Sequence, residues 1–163
     1  MDLPSPEHVK SRLSYDPNSG ELTWKTNRQK NRIGKKTGAI SQGYLNILVL
    51  GRLHRAHRLA WCIMTGAWPE HEIDHINLDR SDNRWDNLRP ADKRQNAQNT
   101  RLRSNNTSGF KGVSWDRDRR KWRADIKLAK RRKHLGLFSE PTQAHAAYAR
   151  AAGHYFGLYG RVS

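Results

Sequence analysis

The chain has 163 residues, of which 31 are Lys or Arg and 15 are Asp or Glu, giving a formal charge of +16. That length accommodates one ordinary domain or two small ones and excludes a large multidomain enzyme, while 35% hydrophobic and 9% aromatic residues exclude a disordered basic tail. A single cysteine, Cys62, excludes an internal disulfide framework and any zinc site built on several thiolates, so no structural zinc is expected and a reducing compartment fits.

The start, Met1-Asp2-Leu3-Pro4, has neither the basic opening nor the apolar run of a secretory signal, and no stretch is long and apolar enough to span a membrane. The expectation is a soluble, cytoplasmic protein without a membrane partner. Ser5-Pro6-Glu7 can cap and open a short helix to about Leu13. Asp16-Pro17-Asn18-Ser19-Gly20 reads as a turn into a strand at Glu21-Leu22-Thr23-Trp24, and the basic residues 25–36 read as a loop. Residues 44–50 predict a strand. Residues 54–65 predict a helix with Ala56, Leu59, Ala60, Ile63 and Met64 on one face, stopped by Gly66 and Pro69.

Glu72-Ile73-Asp74-His75-Ile76 suits a short strand, 77–86 a polar loop, Leu88 a second strand and 91–98 a helix. The polar run 100–109 carries no periodic apolar face and predicts a junction. Beyond it, strands are expected at 112–115, 121–126 and 133–138, followed by a helix from Pro141 with Ala144, Ala147, Tyr148, Ala151 and Ala152 on one face. Ser139 or Glu140 is its cap, and Gly153 or Gly157 its end.

Charge divides along the same line. Sixteen basic and eleven acidic residues precede position 101, against fifteen and four after it, so the excess is +5 and +11. A surplus of this size attracts a polyanion, nucleic acid being the commonest, although an anionic membrane or simple solubility would account for the same number.

Chemistry is concentrated in Asp74-His75-Ile76-Asn77-Leu78-Asp79-Arg80-Ser81-Asp82-Asn83-Arg84-Trp85-Asp86-Asn87-Leu88-Arg89, with Asn96 beyond it. Carboxylate and amide oxygens suit a hard divalent ion, and an imidazole with a pKa near neutrality can take a proton from water. The bland alternative makes Asp74 and His75 surface strand residues and Asp82-Asn83 and Asp86-Asn87 mere turn caps. As a set, these residues resemble the HNH nucleases, in the phage and intron-encoded homing-endonuclease branch with its ββα-metal fold. The resemblance implies His75 as general base, Asp74 and Asn96 as ligands of one catalytic metal, and Asn87 as the residue fixing the strand–loop geometry and His75 orientation. Asn96 stands where the family letters have histidine, which favours oxygen-ligated magnesium (Mg2+), with manganese (Mn2+) as its substitute, over zinc. Ala56-His57-Arg58-Leu59-Ala60-Trp61 and Thr65-Gly66-Ala67-Trp68-Pro69 are similar to the helix and turn upstream of that unit, with His57 a packed residue rather than a ligand. Arg84 and Arg89 are candidates for phosphate contacts, because guanidinium donates paired hydrogen bonds.

Downstream, Gly109-Phe110-Lys111-Gly112-Val113-Ser114-Trp115, Lys121-Trp122-Arg123-Ala124, Leu135-Gly136-Leu137-Phe138 and Ala144-His145-Ala146-Ala147-Tyr148 resemble the AP2 DNA-binding domain, in which a three-stranded sheet enters the major groove. By that resemblance the DNA face draws on Lys111, Trp115, Lys121, Trp122 and Arg123, with Arg117, Arg119 and Arg120 in the adjoining turn. Strand alternation forbids all of them facing one way, and for either tryptophan a core role weighs as much as a contact role. Lys130, Arg131, Arg132 and Lys133 form a candidate phosphate clamp, or a solvated loop.

The expected architecture is therefore α+β: a ββα-metal HNH nuclease domain over 1–100, a linker at 101–107, and an AP2-like domain over 108–163 with a three-stranded antiparallel sheet packed on one helix. The expected activity is magnesium-dependent hydrolysis of phosphodiester bonds in double-stranded DNA, site-specific or site-preferring, as a homing-type nick or double-strand cut. Relatives of this kind suggest a phage-encoded element acting in the host cytoplasm. A monomer is favoured, with two copies on DNA as the other arrangement. The rival is a non-catalytic DNA-binding regulator retaining an inactive nuclease fold; an RNA-binding protein fits the charge but not the resemblance of the strands.

Overall fold

Helix α1 (Pro6–Arg12) begins as its residues dictate: Ser5 accepts the His8 amide on its side chain at 3.2 Å, and Pro6 occupies the first turn where no amide donor is needed. In the computed structural model, which describes residues 3–26, 29–129 and 131–162, the chain divides into two compact units, Met1–Asp92 and Lys93–Ser163.

In the first unit the chain leaves α1 directly into strand β1 (Leu13–Tyr15), which pairs antiparallel with β2 (Leu22–Trp24). Asp16 closes the intervening turn by accepting the Asn18 amide and the Ser19 hydroxyl. Strands β3 (Ala39–Ser41), β4 (Tyr44–Val49) and β5 (Arg52–Arg55) form an antiparallel sheet in chain order. Helix α2 (Ala56–Thr65) ends at Gly66, whose φ of 76° closes the last turn onto the Cys62 carbonyl. Then β6 (Glu72–His75) pairs antiparallel with β7 (Leu88–Ala91) across the loop 76–87.

Two apolar clusters meet α2 on different faces. Val9, Leu13, Leu22, Ile47, Val49, Ala56, Leu59 and Cys62 form one, and Ala60, Ile73 and Leu88 the other, with Tyr15 and Trp61 packed against it. The α2 helix thus forms the floor under β6 and β7. Sequence periodicity placed this helix two residues too early: His54 and Arg55 are in β5, paired with Ile47 and Asn46. Strand pairing captures them, since their backbone bonds are made across the sheet. Strands β1, β3 and β5 were not anticipated, and the loop expected at 25–36 contains a 3-10 turn (Lys30–Arg32) and bridges from Thr23 to Lys36 and Trp24 to Ile33. Asn27 and Arg28 lie outside the described residues.

The second unit begins with α3 (Lys93–Gln98). Strands β8 (Val113–Asp116), β9 (Lys121–Leu128) and β10 (Arg131–Phe138) make an antiparallel sheet in the order β10-β9-β8, and α4 (Pro141–Phe156) packs on it. Small residues let the helix approach: Ala124, Ala144 and Ala152 are fully buried. Gly112, with φ of 74°, sits under the Tyr148 ring, where a Cβ would come within 2.1 Å of ring carbon. Glu140 is the residue before α4 and makes no side-chain cap, and Gly157 ends the helix. The sheet and its helix form the small module expected from the strand spacing. No helix among the described residues is long and apolar enough to cross a membrane.

Candidate functional site

Strand β6 delivers two adjacent buried polar residues, Asp74 and His75. Asp74 faces its strand partner Arg89, whose Nε and Nη2 donate to Oδ2 at 3.0 and 2.8 Å. The pair is almost dry, with side-chain exposures of 5% and 13%.

His75 contacts Asn83, with Nε2 3.2 Å from Oδ1. Asn83 is itself fixed from three directions. Its Nδ2 donates to the Ser81 carbonyl (3.0 Å), its own carbonyl accepts the Tyr15 hydroxyl (2.7 Å), and Gly20 packs so closely that a Cβ there would lie 2.5 Å from the Asn83 carbonyl carbon. Because Nδ2 is committed to Ser81, the oxygen faces His75, so Nε2 carries the ring proton and the lone pair belongs to Nδ1. Burial lowers the His75 pKa, opposed by the Asn83 contact and by Asp74, Asp79 and Asp82. Behind it, His57 meets the His75 ring edge-on at 4.9 Å, and burial together with the charges of His75, Arg55 and Arg58 lowers the His57 pKa to about 3.

The connecting loop is stitched internally. Asn87 donates to the Asp82 carbonyl at 2.7 Å and accepts the Asn77 amide at 3.0 Å, while its carbonyl accepts the Ile76 amide. Arg84 chelates Asp82 at 2.9 and 2.7 Å, holding that carboxyl down at about 2. Asp79 accepts the Ser81 amide and hydroxyl. Asp82 and Asn83 thus do serve as loop caps, and Asn83 additionally reaches the histidine. Arg84 and Arg89, expected at phosphate, both hold carboxylates. Asn96 is half-buried on α3, in the second unit.

Three residues that the sequence did not single out surround the histidines. Tyr44 lies 5.4 Å from the His57 ring and 6.1 Å from that of His75, and the guanidinium carbons of Arg55 and Arg80 stand 4.1 and 4.8 Å from its centroid. No linear motif joins β4 to the loop after β6.

In the second unit, pairing and alternation sort the expected DNA-facing residues. Ala124 and Ile126 point towards α4, so Lys121, Arg123, Asp125 and Lys127 share the outer face of β9, joined by Ser114 on β8 and by Arg132 and His134 on β10. Arg123 and His134 both reach Asp125, at 2.8 and 3.1 Å. Trp115 and Trp122 lie on the helix side, edge-on at 5.1 Å; Trp122 packs on the Val113, Ala124 and Ala144 cluster, while Trp115 is 45% exposed. Arg131 and Lys133 share the helix side, where Lys133 donates to the Tyr155 hydroxyl at 2.7 Å. Lys111 caps the end of α3, donating to the Gln98 and Thr100 carbonyls at 2.8 and 3.1 Å, and burial lowers its pKa. Arg117, Arg119 and Arg120 are exposed in the β8–β9 turn, where Arg119 pairs with Asp116. Lys130 lies outside the described residues. Lys127 and His134 are additions to the expected outer face. This unit also holds a cavity of about 1100 Å³ whose lining includes Arg94, Arg101, Arg103, Lys127 and Arg132.

Residues 54–98 match the family model described as HNH endonuclease, a span running from β5 to the end of α3 and containing Asp74, His75, Asn87 and Asn96. An HNH-nuclease family domain is therefore present over part of the chain. The chain is also 37% identical over 73 residues to Protein 3.8 of Escherichia phage T7, an alignment covering 44% of this chain and 60% of that relative. The chain thus spans less than two thirds of the relative's length. No solved structure gives a significant match. The arrangement of sheet and helix fits an HNH-type fold followed by a small helix-and-sheet module.

That family generally uses a divalent metal. Among the described residues no three His, Cys, Asp or Glu side chains converge as a ligand group. Asp74 belongs to the first unit and Asn96 to the second, and each carries a hard oxygen donor of the kind that suits a hard divalent ion.

Proposed function

We propose that the protein is a magnesium-dependent DNA endonuclease that hydrolyses phosphodiester bonds at His75. The observation that supports this most is the coincidence of the matched family span with a buried histidine whose tautomer is set by Asn83. His75, kept neutral by burial, takes a proton from water through Nδ1. Asn83 holds the ring and stabilises Nε2–H as the positive charge develops, and Asn87 maintains the loop from which Asn83 projects. Asp74 and Asn96 are the proposed ligands of one divalent ion, with Arg89 orienting the Asp74 carboxylate. Magnesium, when bound, supplies positive charge to the phosphate and the departing 3′ oxygen.

Duplex DNA is held, in this reading, by the AP2-like second module. Lys121, Arg123, Lys127 and Arg132 on its outer face supply charge to the phosphates, and the arginines of the β8–β9 turn flank them. One active site per chain fits a nicking monomer in the host cytoplasm, with two copies cutting both strands as the alternative.

Supercoiled plasmid incubated with protein and magnesium tests the reading. Nicked or linear product that vanishes with chelator and in His75→Ala is expected. Tight binding by folded wild type without any conversion overturns it and favours the non-catalytic DNA-binding regulator.

A further inference from the structure

We propose that Arg55 and Arg80, stacked on Tyr44 beside His75, are the guanidinium pair that grips the phosphodiester being cut. The inference rests on the nuclease reading and deepens it, because the arginines that the sequence offered for this task are committed elsewhere. Arg84 is chelated to Asp82, and Arg89 is buried on Asp74.

Arg55 and Arg80 differ from those two in having their charge uncommitted to a carboxylate. Both are exposed, and among the described residues neither makes an ion pair with a carboxylate. Each is nevertheless held. Arg55 stands on β5 diagonal to Tyr44 on β4, with its guanidinium over the ring. Arg80 reaches the same ring from the loop after β6, donating to the Gln42 carbonyl at 3.4 Å, while its stem runs 3.6 Å from where a Gly43 Cβ would stand. The two-residue turn Gln42-Gly43, with φ of 51° and 79°, brings that carbonyl and the open space beside the glycine into place.

Cation–π stacking engages the flat face of a guanidinium and leaves its N–H edge for an oxyanion. Two like charges sharing one ring repel each other, and a phosphodiester between their edges relieves that repulsion. The same ring lies 6.1 Å from His75, so the anion would be held next to the proposed base. Tyr44 is then a positioning residue and the two arginines contact the substrate.

The test uses the full chain and Arg55→Gln, Arg80→Gln and double variants, with folding checked by circular dichroism. A labelled DNA duplex is titrated in EDTA at several salt concentrations, and single-turnover nicking is measured at saturating protein with magnesium. Each single variant is expected to lower the log–log salt slope by about 0.9. Each should also slow the saturated cleavage step by about 10²-fold. Tyr44→Leu, which leaves both charges but removes their platform, should slow cleavage in the same direction, with Tyr44→Phe restoring most of the rate. Unchanged salt slopes in both single variants overturn the proposal. Reduced slopes with saturated rates within twofold of wild type overturn it too, since the arginines would then hold phosphates away from the reacting one. If the wild type does not nick at all, the nuclease reading falls and with it the claim about a cut phosphate, whereas normal His75-dependent nicking with intact variant rates refutes only the arginine pair.

Discussion

The two compact units use charge in opposite ways. Met1–Asp92 contains fourteen basic and eleven acidic residues, and Lys93–Ser163 seventeen and four, so the net charges are +3 and +13. In the first unit four of the acids are engaged internally: Asp74 by Arg89, Asp82 by Arg84, Asp16 and Asp79 by turn amides and hydroxyls. In the second, the buried core is apolar, and the ion pairs at Asp116 and Asp125 involve partners that are 40% or more exposed. Among the described residues the ion pair with both side chains largely buried, Asp74 with Arg89, belongs to the first unit.

Removing Arg89 should break this contrast most sharply. Arg89→Ala strands the buried Asp74 carboxylate and is expected to cost about 3–5 kcal/mol, read by chemical denaturation with the unit 1 tryptophans as probe. The corresponding weak point in the second unit is apolar. Gly112→Ala pushes a methyl into the Tyr148 ring from a left-handed backbone position and should cost about 1–3 kcal/mol, without altering the His75 site.

Acid distinguishes the units next. His57 has a folded pKa of about 3 against an ordinary 6.5, so the unfolded state takes the proton first as pH falls. Its contribution is fully present above pH 6.5 and is lost progressively towards pH 3, amounting to about 2 kcal/mol by pH 5. Burial depresses His54 and His75 in the same direction. Denaturation midpoints measured from pH 7 to 5 should fall, and His57→Leu should flatten the decline.

Smaller effects sharpen the same division. Tyr15→Phe removes the hydroxyl that anchors the Asn83 carbonyl and should cost about 1 kcal/mol, together with a slower cleavage step at unchanged DNA affinity. Arg123→Gln, on the outer face of the second sheet, should change stability by less than about 1 kcal/mol. Its expected signature is instead a DNA-binding salt slope lower by about 0.9.

Much of this organisation was legible in the residues. The apolar spacing from Ala56 to Met64 announced α2, the extended runs separated by polar turns after 108 announced three strands and the spacing from Ala144 to Ala152 a helix, and the Asp74-His75 pair stood out chemically. Asn83 was visible only as a turn former, because a side chain that caps a loop and one that also fixes an imidazole have the same sequence appearance. The strands β1, β3 and β5 escaped because they are defined by the partners they pair with across turns, not by the local run of residues. On the second sheet, alternation already forbade all the basic and aromatic residues from facing one way, but only the register told which set faces outward.

By itself, then, the sequence determined the inventory: where charge accumulates, which segments carry a helical or extended period, and that one short segment, 74–89, holds carboxylates, amides and an imidazole suited to phosphodiester chemistry. Local propensity and composition act within a few residues, so they could go no further. The tertiary structure decided which charges are already spent. Asp74 with Arg89, Asp82 with Arg84 and Lys111 at the end of α3 are fixed by contacts across turns and strands, while Tyr44, Arg55 and Arg80 meet beside His75 only because β4, β5 and the loop after β6 converge there.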